Sequence, residues 1–463
     1  MDSSLFYLGI RELRALIARR KVSPAELVTA LSARIAALNP DLNAYLAISD
    51  GLEDAAREAE KQARARRGGA LLGVPISVKD IILTRDARTT AGSRLFGEGL
   101  PPTRDAPVVQ RLRKAGAIIV GKVNLHEVAY GVTTVNEHFG AARNPWAFDR
   151  VSGGSSGGSA VAVAAGLCSG SVGTDTRGSI RIPAACCGVT GLKPTYGVIS
   201  TEDVVPLSHS LDHVGPMGHS VDDVATLFGI MSGKASLIAK SLGALKGKAK
   251  GLRIGVSSYH MRDLDPEIER AIRAAADTFR RLGCTVTEVD IPELDGAQHA
   301  SVVICSAEAA AYHEPHLRAT PQRYGPAVRE RLEKSFQWTG VDYVRAEQKQ
   351  VAVAEAFRHV FGEVDCLLGG VLPAFPPLVG DDTVTVGGRE TGVVDAFTRL
   401  NSPQNVAGVP ALAIPCGFGA TGLPIGCQLI AGGGREDLLF RAGALYQAAT
   451  DWHSRRPPEP KAA

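Results

Sequence analysis

Apolar residues in the first part of the chain recur with the spacing of α-helices. Those between Ile10 and Ile17 share one helical face. A second helical pattern covers residues 27–38 and is expected to stop at Pro40, because proline disfavours helix in the residue before it. A third covers residues 52–67 and ends before a pair of glycines. We therefore expect residues 1–67 to form a helical segment that packs on the rest of the protein.

The pattern changes after residue 68, where short apolar runs alternate with helical stretches. Residues 73–80 and 117–122 have the composition of strands, and a helical pattern over 106–114 lies between them. Strands that alternate with helices indicate an α/β architecture with a mixed or parallel sheet. We expect one domain over residues 68–463, with helical cover of the same sheet at about 296–360.

The alternation continues towards the end of the chain. Strands are predicted at residues 251–256, 286–289, 366–368, 411–414 and 425–430, and helices at 266–282 and 436–450. Residues 232–250, which include several lysines and glycines, are expected to form an exposed connector.

Composition and charge narrow the possible functions. The 51 Lys and Arg against 48 Asp and Glu give a formal charge of +3 over 463 residues, too little to predict a nucleic-acid-binding surface. The longest apolar-rich stretch, residues 160–167, is far shorter than the ~20 residues that span a bilayer, and the first residues do not resemble a signal peptide. Eight scattered cysteines without a CxxC motif indicate reduced thiols. We expect a soluble, cytoplasmic protein.

A glycine- and serine-rich loop at residues 152–159 is the first candidate functional feature. Such a composition is typical of a flexible linker, and a glycine-rich loop before a helix can also bind phosphate. The loop has neither the P-loop motif nor the dinucleotide-binding motif, which disfavours nucleotide binding. A third interpretation is that hydroxyls and backbone amides are concentrated here for catalysis.

A second candidate is Ser179, which follows a partly glycine-containing turn. Successive backbone N–H groups in such a turn can hold the negative oxygen that develops in acyl transfer. Serine becomes a nucleophile only when a base removes its proton. A histidine could serve, because His209 and His213 lie close to Asp212, although no G-x-S-x-G motif is present. Lys79 could also serve, because it ends an apolar β-run in which burial would lower its pKa.

Several segments, in the same order, resemble the amidase signature family. They are residues 73–80, 153–159, 173–183, 187–197, 211–216 and 422–428. The family includes stand-alone amidases, aryl acylamidases, urethanases and the A subunit of the tRNA-dependent amidotransferase. The resemblance covers nearly the whole chain and implies one large mixed β-sheet with helices on both faces. It also implies hydrolysis of C–N bonds of amides, with no cofactor and no metal.

The resemblance further implies which residues are catalytic. The family uses a Ser–cis-Ser–Lys triad, whose members fall on Lys79, Ser155 and Ser179. The two serines are 24 residues apart, which is the family's usual spacing. The oxyanion hole would consist of the backbone N–H groups of Thr176, Arg177, Gly178 and Ser179. Supporting roles would fall on Ser156 and on the pair Asp175 and Arg181.

Two positions depart from the family pattern. Arg177 stands where the family most often has a small residue. Its side chain would either shape the substrate pocket or point away and pair with a carboxylate. Gly369 and Gly370 stand where the family usually has Pro-Thr, and we expect them to form a mobile loop beside the pocket.

The sequence indicates the type of reaction more clearly than the identity of the substrate. The tentative pocket consists of Gly131, Val132, Thr133, Leu207, Phe336, Trp338 and Phe375. Apolar residues in this set favour small, apolar or aryl amides, with carbamates (urethanes) as a further class.

Two functions within the family compete. One is a stand-alone hydrolase, a monomer or homodimer that acts on a small-molecule amide or carbamate, with no nucleic-acid or membrane partner. The alternative is the glutamine-hydrolysing A subunit of a tRNA-dependent amidotransferase, which works with partner subunits. The near-neutral charge and the Gly369-Gly370 pair favour the first. A non-catalytic binding protein is disfavoured, because all three triad positions are intact.

Overall fold

One mixed β-sheet of eleven strands organises the protein. The structure, a computed structural model, describes residues 3–97 and 101–458. The strands in this part of the chain are β1 (Tyr45–Ile48), β2 (Pro75–Lys79), β3 (Ile118–Val123), β4 (Arg143–Asn144), β5 (Ala147–Val151), β6 (Gly170–Asp175), β7 (Thr190–Lys193), β8 (His213–Gly218), β9 (Arg253–Ser257), β10 (Thr285–Val289), β11 (Cys366–Gly370), β12 (Thr383–Val386), β13 (Arg389–Gly392), β14 (Ala411–Phe418) and β15 (Pro424–Ile430). The sheet order is β1-β3-β2-β6-β8-β7-β14-β15-β11-β9-β10, and β4-β5 and β12-β13 form separate pairs.

Helices cover both faces of this sheet. They are α1 (Ile10–Ala18), α2 (Pro24–Leu42), α3 (Leu52–Arg64), α4 (Pro107–Lys114), α5 (Gly157–Ala164), α6 (Arg181–Cys187), α7 (Val221–Ser232), α8 (Ala235–Ala244), α9 (Ser258–Met261), α10 (Pro266–Arg281), α11 (Ala297–Ala319), α12 (Pro326–Lys334), α13 (Gly340–Glu363), α14 (Val393–Arg399), α15 (Ser402–Val406) and α16 (Glu436–Ala448). Strand β2 is parallel to β3 and β6, whereas β6 is antiparallel to β8. The predicted α/β class with one large mixed sheet is therefore confirmed.

The N-terminal segment differs from the expected purely helical one. Strand β1 joins the edge of the main sheet antiparallel to β3. Helix α2 also continues past Pro40 to Leu42. The last turn is closed by the N–H of Asn43, which donates to the Asn39 carbonyl over 2.7 Å with Asn43 in the left-handed region at φ 48°. A proline this close to a helix end costs few backbone hydrogen bonds, which explains why the helix did not stop at Asn39.

The expected connector at residues 232–250 is partly helical. Helix α8 occupies Ala235–Ala244 and packs against α7 and α16. The hydrophobic side chains of Leu237 and Leu245 lie against the main core. Because the segment contains several lysines and few apolar residues, its sequence pattern predicts a connector and not a helix.

The Gly369-Gly370 pair is not a mobile loop but the end of buried strand β11. It pairs with β15, where Gly369 lies opposite Gln428. A Cβ atom on Gly369 would clash with the Cβ of His260, so close packing explains the glycine. The Gly369-Gly370 pair therefore does not favour a stand-alone hydrolase over an amidotransferase subunit. Within residues 3–97 and 101–458, no helix is long and apolar enough to cross a membrane.

Candidate active site

Lys79 lies at the end of β2, between β3 and β6, and its side chain is fully buried. Its Nζ atom lies 2.7 Å from Ser155 Oγ and 2.6 Å from Thr174 Oγ1. Burial lowers the pKa of Lys79 from 10.5 to about 7, although the charges of Asp212 and Asp175 act in the opposite direction. A substantial fraction of this amine is therefore neutral near pH 7 and able to accept a proton.

The glycine- and serine-rich loop that carries Ser155 is rigidly packed rather than a flexible linker. Every residue from 152 to 159 is buried, and the Gly154–Ser155 peptide bond is cis. The Ser155 carbonyl accepts from the backbone N–H of His126 over 3.1 Å. Gly158 allows close backbone packing, because a Cβ there would clash with the Asn124 nitrogen. The Ser155 hydroxyl is thus held beside Lys79 by its backbone.

Ser179 lies in the turn between β6 and α6. Its carbonyl accepts from the N–H of Ser156 over 3.1 Å, which ties this turn to the serine-rich loop. The Ser156 hydroxyl donates to the Thr174 carbonyl over 3.0 Å and accepts from the Thr174 N–H over 3.2 Å. Ser179 borders a cavity, whereas Lys79 and Ser155 lie outside the cavity wall. The structure therefore brings a buried lysine, a buried serine and a serine at a cavity into one region.

Asp175 and Arg181 form a fully buried ion pair below this turn. Arg181 Nε lies 3.0 Å from Asp175 Oδ2, and Nη2 lies 3.1 Å from Oδ1. Burial alone would raise the pKa of Asp175, but Arg181 holds it well below its usual range. Arg181 also donates to Gln428, Asn401 and Asn405, so its guanidinium is well satisfied.

One of the four predicted oxyanion donors is already used. The N–H of Gly178 donates to Asp175 Oδ1 over 2.7 Å, which removes it from the set available to a substrate. The N–H groups of Thr176, Arg177 and Ser179 have no acceptor within the described part of the chain. Asp175 therefore shapes the turn, and three donors remain.

Sequence reasoning missed Asp212 and Thr174 as site residues. Buried Asp212 accepts from Thr176 Oγ1 over 2.5 Å and from the N–H of Leu207 over 2.9 Å, which links the turn to the 207–212 segment. Burial raises its pKa. The only sequence signal was its place beside the two histidines considered as a base. Thr174 had no signal beyond its place one residue before Asp175.

The histidines considered as a base have other partners. His213 Nδ1 lies 2.7 Å from the Leu211 carbonyl and Nε2 lies 3.1 Å from Lys193 Nζ. His209 is exposed and lies 3.4 Å from Glu308. Neither makes a hydrogen bond to Ser179 in the described residues. Among those residues, no group of three or more His, Cys, Asp or Glu could hold a metal ion.

The cavity beside Ser179 has a volume of about 220 Å³. This is below the range typical of drug-sized ligands, about 300 to 1,000 Å³, and suits a small molecule. Four predicted pocket residues border it, namely Gly131, Val132, Leu207 and Trp338.

Three predicted pocket residues do not border the cavity. Phe336 is 50% exposed on a short helical turn. Phe375 packs on the core close to Gly419, and Thr133 Oγ1 lies near His126 Nδ1 at 3.4 Å. Aromatic character and nearness in sequence did not reveal the direction of these side chains. The unforeseen wall residues include Tyr130, Cys305, Arg331, Asp395 and Thr398.

Arg177 borders the same cavity, and among the described residues it pairs with no carboxylate. Its Nε donates to Ser301 Oγ over 3.1 Å and its Nη2 to Thr398 Oγ1 over 3.0 Å. Of the two expected placements, the structure has the one in which the side chain shapes the pocket.

Comparisons with known proteins place the chain among amidases and related subunits. The family model described as Amidase matches residues 26–440. The A subunit of the glutamyl-tRNA(Gln) amidotransferase of Roseiflexus sp. (strain RS-1) is 38% identical, over 98% of this chain and 99% of that protein. A solved structure described as a vestigial protein complex that reveals the evolutionary origins of an s-triazine catabolic enzyme is 34% identical, with a TM-score of 0.91, over 95% of this chain and 98% of that one. The structure of 6-aminohexanoate cyclic dimer hydrolase complexed with substrate is 31% identical, with a TM-score of 0.88, over 99% of both chains.

Proposed function

The chain belongs to the amidase signature family, and from this we propose that it is an amidohydrolase in which Ser179 is the nucleophile, Ser155 relays the proton and Lys79 is the base. The observation that carries the proposal is the fully buried Lys79 amine, 2.7 Å from Ser155 Oγ, with its pKa lowered to about 7. An amine with this pKa can both accept and return a proton at neutral pH.

In the first half of the reaction an acyl-enzyme forms. Neutral Lys79 takes the hydroxyl proton of Ser155 while Ser155 takes that of Ser179. The Ser179 Oγ atom then forms a bond to the amide carbon. The C–N bond breaks as Ser155 gives its proton to the leaving nitrogen and regains one from Lys79. The amine or ammonia leaves, and the acyl group stays on Ser179 as an ester.

In the second half water replaces the amine. Ser155 gives its proton to Lys79 as it takes one from water, and the resulting hydroxide attacks the ester carbon. The bond to Ser179 Oγ breaks, Ser179 regains a proton through the same relay, and the carboxylic acid is released. The N–H groups of Thr176, Arg177 and Ser179 stabilise the negative oxygen in both halves.

We consider two substrate classes, of which the relatives favour glutamine. The curated relatives that match nearly the full length are named as the A subunit of the glutamyl-tRNA(Gln) amidotransferase. By this proposal the chain releases ammonia from glutamine together with partner subunits. The charged residues Arg177 and Arg331 in the cavity wall support a polar substrate of this kind.

The second class is a small apolar or aryl amide or carbamate, hydrolysed by the chain alone as a monomer or homodimer. The apolar part of the wall, which includes Val132, Leu207 and Trp338, favours this class. Neither class requires a cofactor or contact of this chain with a membrane. We place the enzyme in the cytoplasm, because its eight cysteines are free and buried, as expected in a reducing compartment.

A substrate panel with the purified chain tests the proposal. Glutamine, a primary alkyl amide, a p-nitroanilide and an aryl carbamate should show at least one substrate, whose turnover disappears in Ser179→Ala. Ser159→Ala is the matched control, because this buried serine lies in helix α5 directly after the same loop, and its hydroxyl donates to the Val172 carbonyl over 3.4 Å. Equal turnover by wild type and Ser179→Ala would refute the proposal.

A pulldown from the source cells separates the two classes. Co-purified subunits whose addition stimulates glutaminase activity would support the first class. Activity of the lone chain on an anilide or carbamate, with no stimulation by any co-purified protein, would support the second.

A further inference from the structure

Two guanidinium groups border the cavity beside Ser179, and neither has a carboxylate partner in the part of the chain that the structure describes. Arg177 donates to the hydroxyls of Ser301 and Thr398. Arg331 donates to the Tyr130 carbonyl and lies over the Tyr130 ring, 5.3 Å from its centroid. In residues 3–97 and 101–458, neither arginine forms an ion pair within 4.0 Å. Both side chains are partly buried.

The other charges at this cavity lie in solvent. Asp395 and Lys334 are exposed, and Lys334 is paired with Glu330 at 2.6 Å. Water screens such charges, so they offset the two partly buried arginines only weakly. Burial lowers the pKa of Arg331 and the neighbouring charge of Arg177 lowers it further, whereas the charge of Asp395 raises it. The inner cavity therefore has an excess of positive charge, and buried charge in proteins is normally paired.

The Arg177 guanidinium is held in a fixed orientation. Ser301 Oγ donates its own proton to the Gln298 carbonyl over 2.7 Å, and Thr398 Oγ1 donates to the Val394 carbonyl over 2.8 Å. Both hydroxyls therefore offer lone pairs to Arg177. Two of the five N–H groups of a guanidinium are used in this way, which leaves donors on the planar fork for a ligand. A guanidinium fork matches the two oxygens of a carboxylate.

We propose that Arg177 is a specificity-determining residue that binds a carboxylate of the substrate, with Arg331 as the second cation. The substrate class is the monoamides of dicarboxylic acids, with the amide at Ser179 and the carboxylate at the arginines. This inference rests on the proposed amidohydrolase function. Glutamine belongs to this class, but its ammonium group finds no buried carboxylate among the described wall residues. Glutaramate, which lacks that group, is therefore at least as good a substrate as glutamine.

The test compares glutaramate with 5-methylhexanamide, in which an uncharged isopropyl group replaces the carboxylate. Ammonia release by the chain, with any co-purified subunits present, gives kcat/KM for both amides. Wild type should prefer glutaramate. Arg177→Met should lower kcat/KM for glutaramate by about 10- to 100-fold more than it lowers kcat/KM for 5-methylhexanamide, which is the effect of losing hydrogen bonds to a charged group.

Two further variants complete the design. Arg331→Met should also reduce the preference for glutaramate. Arg329→Met is the matched control, because this arginine lies on the same helix as Arg331 but pairs with Glu333 at 3.6 Å. In this variant the ratio of kcat/KM for glutaramate to kcat/KM for 5-methylhexanamide should equal that of wild type.

Several outcomes would overturn the inference. A wild-type preference for 5-methylhexanamide would do so, as would an unchanged ratio in Arg177→Met or a preference for glutamine over glutaramate of more than tenfold. If Arg177→Met loses turnover of both amides through misfolding, an unchanged ratio in Arg331→Met would overturn the inference instead. Failure of the amidohydrolase proposal looks different, because Ser179→Ala would then retain turnover of both amides.

Discussion

Replacing Lys79 by methionine should change how the stability of the fold depends on pH. Methionine keeps an unbranched apolar side chain and removes the amine. The pKa of the buried amine is lowered to about 7, against 10.5 for an unperturbed lysine. Between these two values the unfolded chain binds a proton that the folded chain does not. The free energy of unfolding of the wild type therefore rises with pH over this interval, and Lys79→Met lacks this contribution.

The magnitude follows from the separation of the two pKa values. The values of 10.5 and about 7 differ by about 3.5, and each unit corresponds to about 1.36 kcal/mol. Lys79 therefore contributes roughly 5 kcal/mol of pH dependence over the whole interval, lost as the pH falls from 10.5 to 7. The variant also loses the hydrogen bonds of Nζ to Ser155 and Thr174.

Urea unfolding of both proteins at several pH values between 7 and 10 measures this effect. The free energy of unfolding of wild type minus that of Lys79→Met should increase by about 1 kcal/mol per pH unit. Lys248→Met, which removes an exposed lysine, is the matched control for the loss of one positive charge. A constant difference for Lys79→Met would refute the argument that burial keeps this amine neutral.

Three further predictions concern the residues around the amine. Ser155→Ala should lower kcat by about 100- to 10,000-fold with little change in the circular dichroism spectrum, because it removes the proton relay; activity close to wild type would contradict the relay. Asp175→Asn leaves buried Arg181 without its ion-pair partner and should destabilise the protein by about 3 to 5 kcal/mol in urea unfolding, whereas a loss below 1 kcal/mol would be unexpected. Asp212→Asn removes a charge that raises the pKa of Lys79, so the acidic limb of the pH profile of kcat/KM should move to lower pH; an unmoved or raised limb would show that Asp212 does not act on Lys79.

Local sequence patterns predicted most of the helices and strands, but not those whose hydrophobic pattern is weak. The apolar run before Lys79 predicted a strand, and the structure has β2 at Pro75–Lys79. The four-residue strand β1 and the lysine-rich helix α8 were missed, because each depends on tertiary contacts more than on local pattern. The Gly369-Gly370 pair was misread as a loop, because its close neighbour His260 is more than a hundred residues away in sequence.

In the site, too, residues within local motifs could be predicted, whereas contacts between residues far apart in the sequence could not. Ser155, Ser179 and Lys79 stand in recognisable motifs, so the sequence alone predicts them as the catalytic residues. The use of the Gly178 N–H by Asp175 depends on the conformation of the turn, which the motif does not specify. Arg331 borders the cavity from a helix some 200 residues beyond Tyr130, and no periodicity reveals such a contact. Packing also sets the direction of side chains, which is why Phe336, predicted to line the pocket, is exposed and does not border the cavity.

The rate at which a fluorophosphonate probe labels Ser179, measured against pH by mass spectrometry of the labelled peptide, tests the proton relay most directly. The account predicts one phosphonyl group per chain on Ser179, a rate that rises with pH through a midpoint near 7, and loss of labelling in Lys79→Met. Labelling of another serine, or a rate on Ser179 that is independent of both pH and Lys79, would contradict it.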